Sequence, residues 1–145
     1  GSITGVTIDG AFIGAGYGVP GNAYGVFLGN GIVRLSVVDN TIVGNTTAPV
    51  GLGTGYTTPK IRDNQGYPTA SSGTATLLSG TTTIAVNHGL PTAPLIQDVR
   101  LNPISGLGAA SEFWVSAVSS SQITISVDAN PGTNIAFAWS AKVLS

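Results

Sequence analysis

The sequence predicts an all-β protein in two parts: the terminal coils of a right-handed parallel β-helix, then an antiparallel β-sandwich, jelly-roll-like, that caps them. Three observations carry this expectation. A unit of apolar strand, Asp with Gly or Asn, and second apolar strand recurs through the first half. Six alternating strands separated by turn signals fill the second half. Apolar residues recur nowhere in the first 67 residues at the three-and-four spacing of a helix, and Gly appears every few positions.

Taken in order, the chain opens Gly1-Ser2 and contains no Met, which reads as a cleaved-tag scar (1–2) on a piece of a longer protein. Residues 3–67 form the coils. Val6-Thr7-Ile8-Asp9-Gly10-Ala11-Phe12-Ile13-Gly14 is matched by Ser36-Val37-Val38-Asp39-Asn40-Thr41-Ile42-Val43-Gly44, and Asp63-Asn64 closes a third, truncated copy. The Asp positions 9, 39 and 63 are 30 and 24 residues apart, a period typical of stacked repeats. Tyr24-Gly25-Val26-Phe27-Leu28 adds a third strand to the first copy, and Ile32-Val33-Arg34-Leu35 leads into the second.

Strands of successive coils stack so that like residues lie above one another. On this alignment Asp9, Asp39 and Asp63 form one ladder, with Gly10, Asn40 and Asn64 beside it. Gly and Asn suit a turn there because both accept left-handed backbone angles. The clusters Gly14-Ala15-Gly16-Tyr17-Gly18 and Gly51-Leu52-Gly53-Thr54-Gly55 read as further turns; neither opens a helix or carries the Lys-Ser/Thr pair of a phosphate loop.

A solenoid exposes strand edges at its end and needs a cap. Residues 68–73 have linker composition, and 74–145 form the capping domain. Its strands are expected at 74–79, 82–87, 95–101, 112–118, 122–127 and 135–143, with Gly80-Thr81 joining the first two as a tight hairpin. Ile123, Ile125 and Val127 share one face, and Ile135, Phe137, Trp139, Ala141 and Val143 share another. The reverse face of the last strand, Ala136, Ala138, Ser140, Lys142 and Leu144, is only half polar, which points to a second buried contact.

The chain has 145 residues with 42% hydrophobic and only 8% charged, so Ser, Thr, Asn, Gln and Gly must build its surface. That composition argues against disorder. A net charge of −1, with Arg34, Lys60, Arg62, Arg100 and Lys142 scattered, argues against nucleic acid as a partner. Gly, Asn or Thr breaks every apolar run before it reaches membrane-spanning length, so no membrane insertion is expected. There is no cysteine, which removes disulfides and thiolate metal sites.

Several stretches together resemble a known family. The rung end Ile61-Arg62-Asp63-Asn64-Gln65-Gly66-Tyr67, the segment Ser79-Gly80-Thr81-Thr82-Thr83-Ile84-Ala85-Val86-Asn87-His88-Gly89-Leu90-Pro91, then Ala93-Pro94 and a late Phe137-Ala138-Trp139 strand are similar to the C-terminal region of bacteriophage tailspikes and tail fibres. The resemblance implies a homotrimer of parallel β-helices closed by C-terminal β-domains. It also implies a virion location outside the cell and a partner in bacterial surface polysaccharide: lipopolysaccharide, capsule or exopolysaccharide. Many members cleave that polymer by hydrolysis or elimination.

Catalysis is not expected from this piece. The acids are Asp9, Asp39, Asp63, Asp98, Glu112 and Asp128, and three of them occupy one repeating turn, where a structural ladder would put them. An acid pair across a groove between chains, and with it a depolymerase site, stays open as an alternative. His88 is the one histidine and has neither a ligand set for a metal nor a nucleophile beside it, so it reads as a hydrogen-bonding turn residue. No nucleophile-elbow sequence is present. No cofactor or metal is expected.

Aromatic rings stack on the apolar faces of sugars, and they are the remaining means of carbohydrate recognition. Trp139 reads as core. Trp114 alternates against Phe113, Val115 and Ala117 and shares its face with Ser116 and Val118, which fits core and interface equally. Tyr17, Tyr24 and Tyr56 lie in or near Gly-rich turns. Tyr17, Tyr24, Tyr56 and Trp114 are therefore the carbohydrate-binding candidates. The functional expectation is a trimerising, capping tip of an adhesin, with an isolated carbohydrate-binding module as the alternative.

Overall fold

The computed structural model describes residues 6–14, 24–28, 34–45, 47–54 and 59–143. The protein is all-β, with thirteen strands among the described residues and one 3-10 turn. It divides into two compact units between Thr69 and Ala70.

The first unit is built from parallel strands. Its first pass holds β1 (Val6–Asp9), β2 (Phe12–Gly14) and β3 (Tyr24–Leu28); the second holds β4 (Leu35–Val38), β5 (Thr41–Val43) and β6 (Ala48–Leu52); β7 (Pro59–Arg62) begins a third. Each strand pairs in parallel with its counterpart in the next pass, giving sheets β1-β4-β7, β2-β5 and β3-β6. The third pass continues as a bridge from Thr41 to Gln65. Like residues stack on like: Ile8, Val37 and Ile61 share one register, as do Val26 and Val50. These residues, with Leu35, Ile42 and Tyr67, make the core of the unit.

The register corrects the expected ladder by one residue. Val6 opposes Leu35 and Asp9 opposes Val38, so Gly10, and not Asp9, falls in line with Asp39 and Asp63. Those three residues share left-handed backbone, with φ of 62, 54 and 57°. The turn therefore places its strained position on the Asp and frees the following residue, Asn40 or Asn64, to point inward. Asp accepts that conformation better than most side chains. Gly51 is also not a turn residue: it lies inside β6, beneath the Tyr24 and Phe27 rings.

The second unit holds two antiparallel three-stranded sheets. One has the order β10-β13-β8, from β8 (Ala70–Leu77), β10 (Val99–Pro103) and β13 (Ile135–Lys142). The other has the order β11-β12-β9, from β9 (Thr83–Asn87), β11 (Phe113–Val118) and β12 (Gln122–Val127). Ile123, Ile125, Val127, Ile135, Phe137, Trp139, Ala141 and Val143 are all buried, matching the expected faces. Phe113 of one sheet meets Phe137 of the other with ring centroids 5.8 Å apart.

Four local expectations are overturned. Ala70, Ser71, Ser72 and Gly73 are not linker but the start of β8, paired with Lys142, Ala141, Ser140 and Trp139. Position 73 favours glycine because the Trp139 indole covers it, and a Cβ there would lie 3.2 Å from the ring. The turn at Gly80 does not make a hairpin: β8 pairs with β13 and β9 with β12. Thr81 N donates to Leu78 O, and Gly80, with φ of 89°, stands at the third position. That is a type II pattern, which splays strands apart instead of pairing them. The expected strand at 95–101 begins instead with a 3-10 turn, Ile96–Asp98. Finally, a bulge interrupts β11, where Val115 opposes Ile125 but Ala117 opposes Thr124.

Candidate functional site

Three surfaces gather exposed or polar side chains. The first is the outer face of the β11-β12-β9 sheet. Phe113 and Val115 turn to the core, so Trp114 between them turns outward and is 44% exposed. Its neighbours across the sheet are Ser126 and then Thr83; the next row holds Thr124 and Ala85, and beyond it Gln122 donates to Asn87 at 2.9 Å. Ser126 Oγ donates to Ser116 Oγ at 2.6 Å. The result is a ring standing over a flat field of hydroxyl and amide groups.

The bulge alters the expected company of Trp114. The extra residue, Ser116, reverses the alternation, so Val118 opposes the buried Ile123 and leaves the Trp114 face. What remains beside the indole is small: Ser116, Ser126 and Thr83, with Thr124, Ala117 and Ala85 in the next row.

The second surface lies on β3. The Tyr24 and Phe27 rings are 5.1 Å apart and tilted by 49°, and both rest over Gly51 of the next pass. Phe27 is 62% exposed while Tyr24 is half-buried. Strand parity alone would separate positions 24 and 27; the missing side chain at Gly51 lets both rings lean over the same spot. Tyr17 and Tyr56 fall outside the described residues. Trp114 and Tyr24 belong to different units.

The third is a cleft of about 450 Å³ along β8, β13 and β10, lined by Ser71, Ser72, Gln97, Asp98, Arg100, Ser140 and Lys142 with Ala70 and Ala141. Arg100 stands opposite Ser140, and Lys142 lies two positions along the same strand, so both cations rise from one face. Among the described residues, neither they nor Asp98 makes a side-chain hydrogen bond or ion pair; the ion pair present joins Arg62 to Asp63 at 3.1 Å, in the other unit. The sequence does not single out Arg100, Lys142, Asp98 or Phe27 as site residues. The available signal was the half-polar reverse face of the last strand, which ends in Lys142.

Two further titratable groups, Asp128 and His88, serve the scaffold. Asp128 Oδ1 accepts from Ser111 N at 2.9 Å and Glu112 N at 3.0 Å, while Oδ2 accepts from Ser111 Oγ at 2.6 Å. These bonds, the Ser111 hydroxyl foremost, hold the carboxyl down from 3.8 to about 2. His88 is buried: Nδ1 accepts from Leu90 N at 3.0 Å, which leaves Nε2 as the donor to Ser119 O at 3.1 Å. It ties its own turn to the β11-β12 turn. No three His, Asp or Glu side chains converge among the described residues, and among them no helix is long and apolar enough to cross a membrane. No family model, curated protein or solved structure matches the chain.

Proposed function

We propose that this chain is the tip of an adhesin of the bacteriophage tailspike type. Its first unit would be the closing coils of a right-handed parallel β-helix, and its second an antiparallel β-sandwich of jelly-roll type. Three copies assemble side by side, on the outside of the virion tail, and meet the polysaccharide of a bacterial surface. The piece works by stiffening and trimerising that tip, without catalysis of its own.

The observation that carries this reading is the strand-for-strand parallel stacking of successive passes, repeated at intervals of 29 and then 24 residues in the register. A fold that grows by adding passes along an axis suits a rod. The end of the reverse face of β13 away from the cleft supports assembly: Ala136 and Ala138 are half-buried and small, and present a surface against which a second copy can pack. The solution mass, measured by light scattering on a size-exclusion column before and after heating in detergent, tests the assembly. A trimer that survives detergent is expected; a monomer at all concentrations sinks the trimer.

Trp114 favours a second component of the reading, carbohydrate recognition by the second unit. A large ring left proud among small side chains keeps apolar area in water, and the apolar face of a pyranose would cover it.

A further inference from the structure

We infer that the cleft along β8, β13 and β10 is a binding site for a carboxylate-bearing saccharide, with Arg100 and Lys142 holding the carboxylate and Asp98 accepting hydroxyls of the same ring. The inference rests on the proposed polysaccharide partner and names the chemical class that this surface selects.

Charge is the scarce resource in this protein. Of 5 basic and 6 acidic side chains in the whole chain, Arg100, Lys142 and Asp98 line one cleft. Surface charges are ordinarily well hydrated and need no explanation, but here Ser and Ala surround them where other charged residues would normally lie. The two cations sit on adjacent strands of one sheet face, at the diagonal spacing of about 7 to 8 Å that long side chains span. That spacing lets one planar carboxylate take the Arg100 fork on one side and the Lys142 ammonium on the other.

The two cations carry more positive charge than Asp98 offsets, so the cleft favours a monoanion. Asp98 then has a separate task. A carboxylate beside an anion site is unfavourable unless it accepts hydrogen bonds from hydroxyls of the ligand, and a sugar ring bearing a carboxyl offers them within the same molecule. Gln97, Ser71 and Ser72 add short donors and acceptors around the rim. A neutral sugar leaves Arg100 and Lys142 without a counter-charge, and a dianionic phosphate brings more negative charge beside Asp98 than the two cations offset, with at most one hydroxyl to offer it. The volume of about 450 Å³ lies within the range of roughly 300 to 1,000 Å³ usual for small-ligand sites.

The test is a titration of the isotope-labelled full chain, followed by amide chemical shifts, with a trigalacturonate, a neutral trisaccharide of similar size and inorganic phosphate. The expected result is a shift cluster at 70–72, 97–100 and 140–142 with the uronate alone. Its affinity should weaken with added salt, and by about tenfold or more in Arg100→Gln/Lys142→Gln. Equal responses to the uronate and the neutral sugar, or a response to phosphate at the same residues as strong as that to the uronate, overturn the inference. Shifts confined to the surroundings of Trp114 overturn it while leaving polysaccharide recognition standing. No shifts with any saccharide overturn both. The wild-type map decides these cases even if the double variant fails to fold.

Discussion

Asn40 and Asn64 occupy the same position in successive passes of the first unit, and Asn64 Oδ1 accepts from both the backbone N and the side-chain Nδ2 of Asn40 at 3.0 Å. The pattern repeats one pass earlier, where Asn40 Oδ1 accepts from Ala11 N at 2.9 Å. Each amide also donates to the carbonyl two residues before it and to one in the preceding pass: Asn40 to Val38 and Ile8, Asn64 to Arg62 and Val37. An internal amide ladder thus replaces strand hydrogen bonds where the backbone turns a corner.

Asn64→Ala should destabilise the first unit by about 3 kcal/mol, because Asn40 N, Val37 O and Arg62 O lose partners in a buried place. Amide exchange at Asn40 should accelerate before global unfolding does. Unchanged exchange at that amide would show that the ladder is incidental to stability.

Gly66 and Gly80 have nearly the same positive φ, 91 and 89°, but different surroundings. A Cβ at Gly66 would run into Ile42 O, whereas one at Gly80 meets nothing within 4 Å. Gly80→Ala should therefore cost about 1 kcal/mol, from backbone strain alone. Gly66→Ala should cost about 3 kcal/mol or more, since backbone must also move. Urea unfolding followed by circular dichroism measures both, and equal losses would contradict the steric argument.

His88→Ala removes both an acceptor for Leu90 N and a donor for Ser119 O. The expected loss is about 3 kcal/mol, read from tryptophan fluorescence during denaturation, both indoles lying in the second unit. A loss below about 1 kcal/mol would mean that water replaces the ring.

For Asp128 the folded value of about 2 lies below the ordinary 3.8, so its contribution to stability is complete above 3.8 and disappears as pH falls through 2. Wild type should be more stable than Asp128→Asn at pH 6, and the difference should close as pH approaches 2. The carboxyl carbon, followed by NMR, should titrate near 2; a midpoint near 3.8 would remove the Ser111 hydroxyl bond as the cause.

Trp114→Ala should leave stability within about 0.5 kcal/mol, because the indole is outside the core. Saccharide affinity at that face should fall by about thirtyfold, the loss of about 2 kcal/mol typical of an aromatic anchor. Intact affinity would assign recognition elsewhere, and a large stability loss would make the ring a packing residue.

The sequence by itself determined which faces of β12 and β13 are buried, because a two-residue alternation is written locally in Ile123, Ile125 and Val127 and in Ile135, Phe137 and Trp139. It also determined that Asp39-Asn40 and Asp63-Asn64 are equivalent, since a repeated backbone conformation needs repeated residue types. Tertiary structure alone decided the register and the partners. The true neighbour of Asp39 in the first pass is Gly10, because strand pairing between β1 and β4 aligns Ile8 with Val37 and so shifts Asp9 out of line. Ser71-Ser72-Gly73 has the composition of a linker but is a strand, because Trp139, far away in the chain, lies over Gly73. A one-residue bulge at Ser116 turned Val118 inward and left Trp114 among small side chains. Arg100 and Lys142 came to one cleft only through the antiparallel pairing of β10 with β13. Each of these depends on contacts between residues distant in sequence, and local pattern holds no record of which strand a strand will meet.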